Sequence, residues 1–558
     1  MLSLFVVLAV LLEARVWITR DGTVGGLQGD PELFMWYLRW APWAVLHGQD
    51  PFITHHLIAP TGANLLWNTS IIGPSLVMSP VTAVVGPQWS YDVLMTAAPA
   101  LSGFVAHLAL RRHASVRGSL AGGVLYGFSP ALTAQSLGHP MISIAVFPPL
   151  AMLLIEDVVT AGSRRRRLTR GALLGAAAAV QLLTGTEMLA LTVIAAALGV
   201  AVLAALHPTV ARARLRGVAE GFGAAAVVGL ALAAVPLVVL LAGPDHVGAT
   251  LQVPDVYVQD LANLGVPGPF QAVAPGAAVD ISAHATGNAV EVSGYLGIPL
   301  LLLLAATAAL LWRRHPAAAL VRWATLTAVA IVVLSLGPHL HVDGHVLHLP
   351  LPWRLAAGRP LLDSLLPSRF MVIAYLPLAA LVAAAVDVML RRSGPGARVV
   401  TLIATAAVAV SLLPRPLPAY TPSVAGFFSG PAVERIPEGS TVLLSAGGRG
   451  GDAMLDQAVS GMRFRMTDGA VFIPGPHFGP PPGPLEDELA AAEGPDAWAL
   501  PDAVRQQALR VDLDALHLSA VVVAPQPQRA RVEGLIAALL GVPAEQIDGV
   551  ALWILPAG

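Results

Sequence analysis

The chain has 558 residues, 56% of them hydrophobic and only 12% charged, with a formal net charge of -2 and a mean hydropathy of +0.70. Soluble domains carry roughly 25% charged residues, so an ordinary soluble protein is excluded, and the near-neutral balance excludes a general pull toward nucleic acid. There is no cysteine, which excludes disulfides and thiolate metal sites.

Residues 2–18 form the first apolar segment. They lack a basic leading region and a small-residue cleavage site, and read as a first span rather than a cleaved signal. The following loop, 19–90, opens with Gly29-Asp30-Pro31-Glu32. Residues 33–46, with Trp36, Tyr37, Trp40 and Trp43, suit an interfacial helix, since indole and phenol rings favour the headgroup level. Next comes a polar and aromatic stretch holding His55, His56, Asn64, Trp67 and Asn68 around the tight turn Pro60-Thr61-Gly62. Residues 71–85 are apolar but short and carry Pro74 and Pro80, so they read as a second interfacial helix, ending at Gly86.

Further apolar segments at 91–110, 118–133, 141–160, 170–185, 187–206, 218–242, 293–312, 318–336, 371–390 and 398–413 bring the expected spans to about eleven, each near the length that crosses a hydrocarbon core of roughly 30 Å. Every one of the 32 basic residues is arginine. Arg111-Arg112, the run 164–167, Arg212, Arg214 and Arg216, Arg313-Arg314 and Arg391-Arg392 all fall on one side of these spans. Positive charge in short loops is retained in the cytoplasm, so the N-terminus is expected inside. The loop 19–90, the short loop at His139, and the loops 243–292 and 337–370 are then expected outside the plasma membrane.

Within the last of these loops, residues 339–348 read as a hairpin with an Asp343-Gly344 turn. In that register His339 faces His348, with His341 on the same side. Three imidazoles on one face can bind zinc, and a solvated hairpin is the competing reading. Prolines 414, 416, 418 and 422 stiffen a linker spanning 414–436. Strand-like runs at 441–445, 470–473, 520–523 and 551–554, with helical stretches at 485–493, 501–509 and 529–541, predict a small extracytoplasmic α/β domain over 437–558. The run Gly447 to Gly451 follows a strand but matches neither phosphate-binding fingerprint. The fold class expected is thus a polytopic α-helical membrane domain, 1–413, followed by that α/β domain.

The candidate chemistry starts at Asp30 and Glu32. An Asp before Pro at the start of a helix is also a common cap. Span, outer acidic residue, juxtamembrane helices, Pro-x-Gly turn and proline-rich interfacial helix ending in Gly86 together resemble the GT-C-type membrane glycosyltransferases, most closely a branch of actinobacterial membrane proteins that begin with Gly-Asp-Pro and carry an outer C-terminal domain. The resemblance implies a polyprenyl-phosphate sugar donor, a cell-envelope glycan, lipid or protein as acceptor, and the lipid bilayer as setting. By position Asp30 would be the general base, with Glu32 its neighbour or, together with Asp30, a ligand for a divalent cation such as Mg or Mn. Asp30-x-Glu32 departs from the Asp-x-Asp or Asp-Glu of some relatives, which leaves the metal open.

A phosphate leaving group needs cationic stabilisation, which arginine supplies with a planar fork that stays charged. Arg369, Arg354, Arg359 and Arg39 break the inside rule and are the candidates for the donor phosphate, against snorkelling to lipid headgroups. His55, His56, Asn64, Trp67, Asn68, His139, Glu187, Asn288 and Glu291 are the candidates for holding sugar or acceptor. Two other functions fit the composition: a transporter or flippase of lipid-linked saccharides, which needs functional charge near mid-membrane, and a non-catalytic envelope assembly protein.

Overall fold

The computed structural model describes the whole chain except residues 20, 21, 249, 250, 252, 254, 314, 360, 392–394, 448, 449, 557 and 558. Arg314, Arg392 and the Gly448-Arg449 centre of the glycine-rich run therefore lie outside the described residues. The chain divides into two compact units, one formed by 1–19, 94–234 and 250–418 and the other by 20–93, 235–249 and 419–558. The proline-rich linker marks the last crossing between them, at Pro418. The first outer loop belongs to the same unit as the C-terminal segment, a grouping that hydropathy alone does not reveal.

The first unit is a helical membrane bundle. Among the described residues six helices are long and apolar enough to cross a membrane: Ile72–Leu110, Pro140–Thr160, Thr186–Leu206, Pro208–Leu232, Ala318–Ser335 and Pro367–Arg391. Each holds all or most of one of the expected segments, except that 218–242 is split at Ala233 between Pro208–Leu232 and a separate helix Ala234–Ala242. Three more expected segments become shorter apolar helices, Leu2–Leu12, Ile298–Leu311 and Arg398–Leu412. The remaining two depart for visible reasons: 118–133 breaks into Val116–Gly127 and Pro130–Gln135 at a proline, and Arg164–Leu182 begins in four arginines. The break expected at Gly86 is present, as a non-helical residue at φ 82° within Ile72–Leu110.

Close helix contact positions the chemistry. On Gly122, a Cβ would lie 2.8 Å from the carbonyl oxygen of Ala379, and on Gly118 2.6 Å from that of Ala383, so only glycine lets Val116–Gly127 rest on the backbone of Phe370–Arg391. Arg112, Arg170 and Arg214, from or beside three of the arginine-rich loops, meet at one end of this unit, next to the Asp387 end of the last long helix. Arg112 pairs with Asp157 at 3.0 Å and Arg170 with the same carboxylate at 3.3 Å, Arg214 donates to the Val159 carbonyl, and the Ser115 amide donates to Asp387. Arg369 lies 18 residues of helix from Asp387, about 27 Å at the ordinary helical rise, and so marks the opposite end.

The second unit is built on a five-stranded sheet in the order Glu545–Ile547, Val550–Ile554, Ala520–Val523, Thr441–Ser445, Arg465–Met466. The last three strands run parallel and the first two are antiparallel additions. Helices Pro484–Glu493, Ala503–Ala515 and Arg529–Leu540 cover it through a core that includes Leu509, Val521, Val523, Leu535, Ile536 and Trp553. The expected strands 441–445, 520–523 and 551–554 and the three expected helices take part, whereas only Phe472–Ile473 of the expected strand 470–473 forms, in a separate pair with His477–Phe478, and Arg465–Met466 and Glu545–Ile547 join the sheet unexpectedly. The helix Gly451–Val459 was not expected, because the glycines before it hide its start.

That helix corrects the reading of the aromatic platform. Trp36, Tyr37 and Trp40 are buried inside the second unit rather than presented to lipid headgroups. Trp36 stacks on Trp40 at 5.3 Å and donates its indole N–H to Gln457 Oε1 at 2.6 Å, on the Gly451–Val459 helix. An amphipathic ring with a partner for its N–H is as well placed in a core as at an interface.

The expected hairpin forms as His339–Val342 and His345–Pro350, with Asp343 and Gly344 both at positive φ in the turn. Its register differs from the expectation. An irregularity between His339 and Leu340 sets His339 opposite Pro350 and His341 opposite Val346. The His339 and His348 rings still meet edge to face with centroids 6.2 Å apart, as expected, but His341 is fully buried whereas His348 is exposed, so the three imidazoles do not share one solvated face.

Candidate functional site

The helix Asp30–Leu46 starts from Gly29, whose φ of 123° is open to glycine but not to side-chain-bearing residues. Pro31 sits in the first turn, and Glu32 folds back to accept the Gly29 N–H at 2.9 Å, the N3-to-N-cap half of a capping box, glycine having no side chain to supply the other half. The other carboxylate oxygen of Glu32 accepts the Tyr420 hydroxyl at 2.6 Å. Glu32 is completely buried, and Asp30 beside it is exposed at the helix N-terminus, where the helix dipole favours an anion. The cap reading and the site reading thus fall on different residues.

Sequence reasoning missed Asp452 and Tyr420. A Cβ on Gly451 would meet the Gly29 carbonyl oxygen at 2.8 Å, so this glycine allows the Gly451–Val459 helix to start against the Asp30–Leu46 helix. Asp452 follows it, half-buried and bonded to Gln28; burial, and then the charge of Glu32, push its carboxyl up to about 6. The signal was the Gly-Gly-Asp ending of the glycine-rich run, legible only once its partner helix is known. Burial and Glu32 likewise raise the Tyr420 phenol far above its ordinary range, fixing it as a neutral donor.

Most of the expected sugar-binding side chains in this unit serve its scaffold. Asn64 is buried; its amide donates to the Val239 and Pro244 carbonyls at 3.0 Å and its oxygen accepts the Leu66 N–H. Trp67 donates to the Leu240 carbonyl at 2.8 Å, and Asn68 exchanges hydrogen bonds with both backbone groups of Phe472. These residues stitch the turn to neighbouring segments. His56 packs on Trp40 and Trp43, and burial first, then Arg465, lower its imidazole to about 4, so it is neutral at physiological pH. His55 is exposed. Arg39, on the third turn of the same helix, has a buried Nε with no hydrogen-bond partner.

In the first unit the structure brings together Arg369, Glu187, Glu291 and His139. An Asx turn at Asn288, whose side-chain oxygen accepts the amides of Val290 and Glu291 at 3.0 Å, delivers Glu291. Glu291 takes Arg369 Nε at 3.1 Å and Nη2 at 2.6 Å, with Gln135 Nε2 at 3.1 Å, and His139 stands 3.6 Å away. Arg369 Nη1 donates to Glu187, whose other oxygen accepts the Leu366 amide at 2.9 Å. Burial alone would raise the Glu291 carboxyl, but Arg369 and His139 hold it below its usual range. Two carboxylates thus share one guanidinium. Arg354 and Arg359 are exposed and form no ion pair among the described residues. Among the described residues no three His, Asp or Glu side chains stand in ready metal-holding geometry.

Along the same bundle runs an apolar cavity of about 310 Å³, lined by Met152, Ile155, Thr192, Trp323, Ile331 and Leu376 among others.

The profile of a family described as Domain of unknown function (DUF6311) matches residues 4–412. Comparison with curated proteins returned no match. Among solved structures, the chain is similar to ArnT from Cupriavidus metallidurans bound to undecaprenyl phosphate, at 15% identity and a TM-score of 0.42, covering 73% of this chain and 63% of that one. It is also similar to the oligosaccharyltransferase AglB from Archaeoglobus fulgidus in complex with an inhibitory peptide and a dolichol-phosphate, at 12% identity and a TM-score of 0.48, covering 94% of this chain and 69% of that one. A further structure of the Archaeoglobus fulgidus oligosaccharyltransferase, in complex with Zn and sulfate, is 13% identical with a TM-score of 0.47.

Proposed function

We propose that this chain, which belongs to the DUF6311 family, is a membrane glycosyltransferase that moves a sugar from a polyprenyl-phosphate donor to a cell-envelope acceptor, with Asp30 as general base. The observation that carries the reading is the division of labour in Asp30-x-Glu32. Glu32 is spent on the cap and on Tyr420, and so holds the helix start rigid. Asp30, one residue to the other side of Pro31, is exposed on that rigid support. A hydroxyl attacking an anomeric carbon must lose its proton, and a positioned carboxylate contributes about 10²- to 10⁴-fold by taking it. Mg or Mn, bound at Asp30, would keep most of its own waters, because both Glu32 oxygens already accept protein donors.

The phosphate-binding role expected of arginine falls in this reading to Arg39, on the same helix as Asp30, rather than to Arg369, whose guanidinium is already met by two carboxylates. The N-terminus is taken as cytoplasmic and the C-terminal domain as extracytoplasmic, in keeping with the arginine loops gathered at one end of the bundle. The second reading is a transporter of lipid-linked saccharides, for which the charged cluster of Glu187, Arg369 and Glu291 would be the functional group, although it lies at one end of the bundle and not at its middle.

The test is sugar transfer by purified wild-type and Asp30→Asn protein, using labelled polyprenyl-phosphate sugars and envelope acceptor extract. Transfer that falls by about 10²-fold or more in Asp30→Asn, with donor binding kept, supports the enzyme. Donor binding without transfer in the wild type, unaffected by Asp30→Asn but lost in Glu187→Gln, would overturn it in favour of the transporter.

A further inference from the structure

We propose that the apolar cavity in the first unit is a binding site for one acyl chain of an anionic phospholipid, with the lipid phosphate held at its mouth by Arg214 and Arg322. Four of the six helices long enough to cross a membrane supply its walls: Pro140–Thr160, Thr186–Leu206, Ala318–Ser335 and Pro367–Arg391. On the first of these the lining runs from Pro148 to Thr160, and on the third from Ala319 to Ile331. Each stretch advances twelve residues along its helix, about 18 Å at the ordinary rise and close to the roughly 15 Å depth of a single leaflet. The volume of about 310 Å³ takes about ten groups the size of a water molecule or a methylene, at roughly 30 Å³ each. That is room for one chain rather than two.

The two ends of the cavity differ in chemistry. The deep end is lined by Pro148, Ile331 and Ile373, and none of Glu187, Glu291 or Arg369 belongs to the lining. At the mouth stand His113, Glu156 and Thr160. The carboxylates there are already paired: Glu156 meets Arg112 at 3.5 Å and His113 at 3.2 Å, and Asp157 meets Arg112 at 3.0 Å and Arg170 at 3.3 Å. Arg214 and Arg322 remain in excess. Arg214 Nη1 donates to the carbonyl of the lining residue Val159 at 2.7 Å. Arg322 lies in the same turn as the lining residues Ala319 and Trp323, and its Nε donates to the Ala318 carbonyl at 3.3 Å. Neither guanidinium forms an ion pair among the described residues.

A lipid tail gains little by leaving the bilayer for an apolar wall, because lipid chains are as apolar as leucine. An unfilled pocket forfeits the dispersion contacts of every atom that lines it, so a chain enters, and the headgroup decides which lipid supplies it. Two guanidiniums without carboxylate partners favour a lipid phosphate of net negative charge over a zwitterion, whose ammonium they repel. Basic pockets between membrane helices recognise anionic headgroups in this way. Within the wall, the Trp323 indole N–H is bonded to the Gly199 carbonyl at 3.0 Å, which fixes the ring as a reporter of whatever fills the cavity. Thr327 Oγ1 is buried in the same wall without a hydrogen-bond partner, a seat that a polar ligand would use and a hydrocarbon chain would not.

The experiment uses the full chain in maltoside detergent, titrated with dioleoyl phosphatidylglycerol or dioleoyl phosphatidylcholine and with forms of both brominated on the chain. Native mass spectrometry counts bound lipid, and bromine quenching of tryptophan fluorescence, compared between wild type and Trp323→Phe, locates the chain. One phosphatidylglycerol per protein is expected, with part of the quenching lost in Trp323→Phe. Arg214→Gln and Arg322→Gln should each weaken phosphatidylglycerol binding by about 5-fold and leave phosphatidylcholine unaffected. Thr327→Val, which makes the wall more apolar, should raise retention of both lipids. Ala196→Phe, which fills the cavity, should expel them, and Trp323→Phe keeps the site testable if thermal unfolding shows that this variant does not fold. Equal binding of the two phospholipids, or quenching untouched by Trp323→Phe, overturns the site. So does binding lost in Thr327→Val, which assigns the cavity to a polar ligand. Displacement by inorganic phosphate alone makes it a bare anion site, and displacement by an equal amount of polyprenyl phosphate makes it a donor site; either result also overturns the proposal. No sugar transfer is measured, so the outcome is separate from that of the transferase assay.

Discussion

Glu32 and Glu291 are both buried carboxylates, one in each unit, and they are satisfied in opposite ways. Glu32 accepts from neutral donors only, a backbone amide and a phenol, so its charge is uncompensated and acts on its surroundings: it helps to raise Asp452 and Tyr420. Glu291 accepts from a guanidinium, and that guanidinium is shared with Glu187. Its charge is spent inside the cluster. A carboxylate held by dipoles tunes nearby titrations, whereas one held by a cation ties chain segments together at the risk of a stranded charge when the cation is lost.

The largest expected effect breaks that second setting. Arg369→Leu strands two buried carboxylates and should cost about 3–5 kcal/mol, read as thermal unfolding in detergent, and adding Glu187→Gln and Glu291→Gln should restore part of it. Unchanged stability with lost donor affinity would instead make Arg369 a phosphate ligand. In the second unit, Gly451→Ala drives a methyl group toward the Gly29 carbonyl and should destabilise by about 1–3 kcal/mol, measured by chemical denaturation of the full chain. Glu32→Ala removes the acceptor of two donors and should cost a similar amount, about 1–3 kcal/mol. It should also lower the Asp452 titration toward the ordinary carboxylate range, which carboxyl-labelled NMR would follow.

The smallest effect sharpens the comparison through pH. Asp452 titrates higher in the folded protein than in the unfolded chain, so the folded state binds the extra proton between about pH 4 and 6 and its stability falls as pH rises through that window. Asp452→Asn should therefore be more stable than wild type above pH 6, by about 1 kcal/mol for a half-buried group, and equal to it below pH 4. His56 runs the other way: its imidazole is lowered to about 4, so stability is lost as pH falls from about 6.5 toward 4. A denaturation series across pH 4 to 8 separates the two by sign.

Much of this arrangement was readable in advance. Nearly every apolar segment became a helix because crossing a hydrocarbon layer demands length and apolarity, both local properties. The parallel strand pair Thr441–Ser445 and Ala520–Val523 was legible for a similar reason, since strands buried on both faces read as apolar runs. The site was legible in part. Arg369, Glu187, His139, Asn288 and Glu291 were each marked by polarity at the end of an apolar segment, and they do converge. Their roles were not legible, because nothing local says that two glutamates will share Arg369. Asn64, Trp67 and Asn68 look like sugar ligands in one dimension because a buried polar group that stitches a loop has the same composition as one that awaits a ligand.

By itself the sequence determined the membrane class, the helical segments, the capped start at Asp30 and the α/β character of the C-terminal region. Each follows from periodicity, composition or a cap within a few residues. Only the tertiary structure decided that Tyr420 and Asp452 would reach Glu32 from about four hundred residues away, that Trp36 and Trp40 of the platform would be buried, and that His341 would turn toward Asp255. Those outcomes depend on close approach between distant helices, on one strand irregularity and on which donors meet which acceptors once water is excluded. They are settled by long-range packing, and no window along the chain contains them.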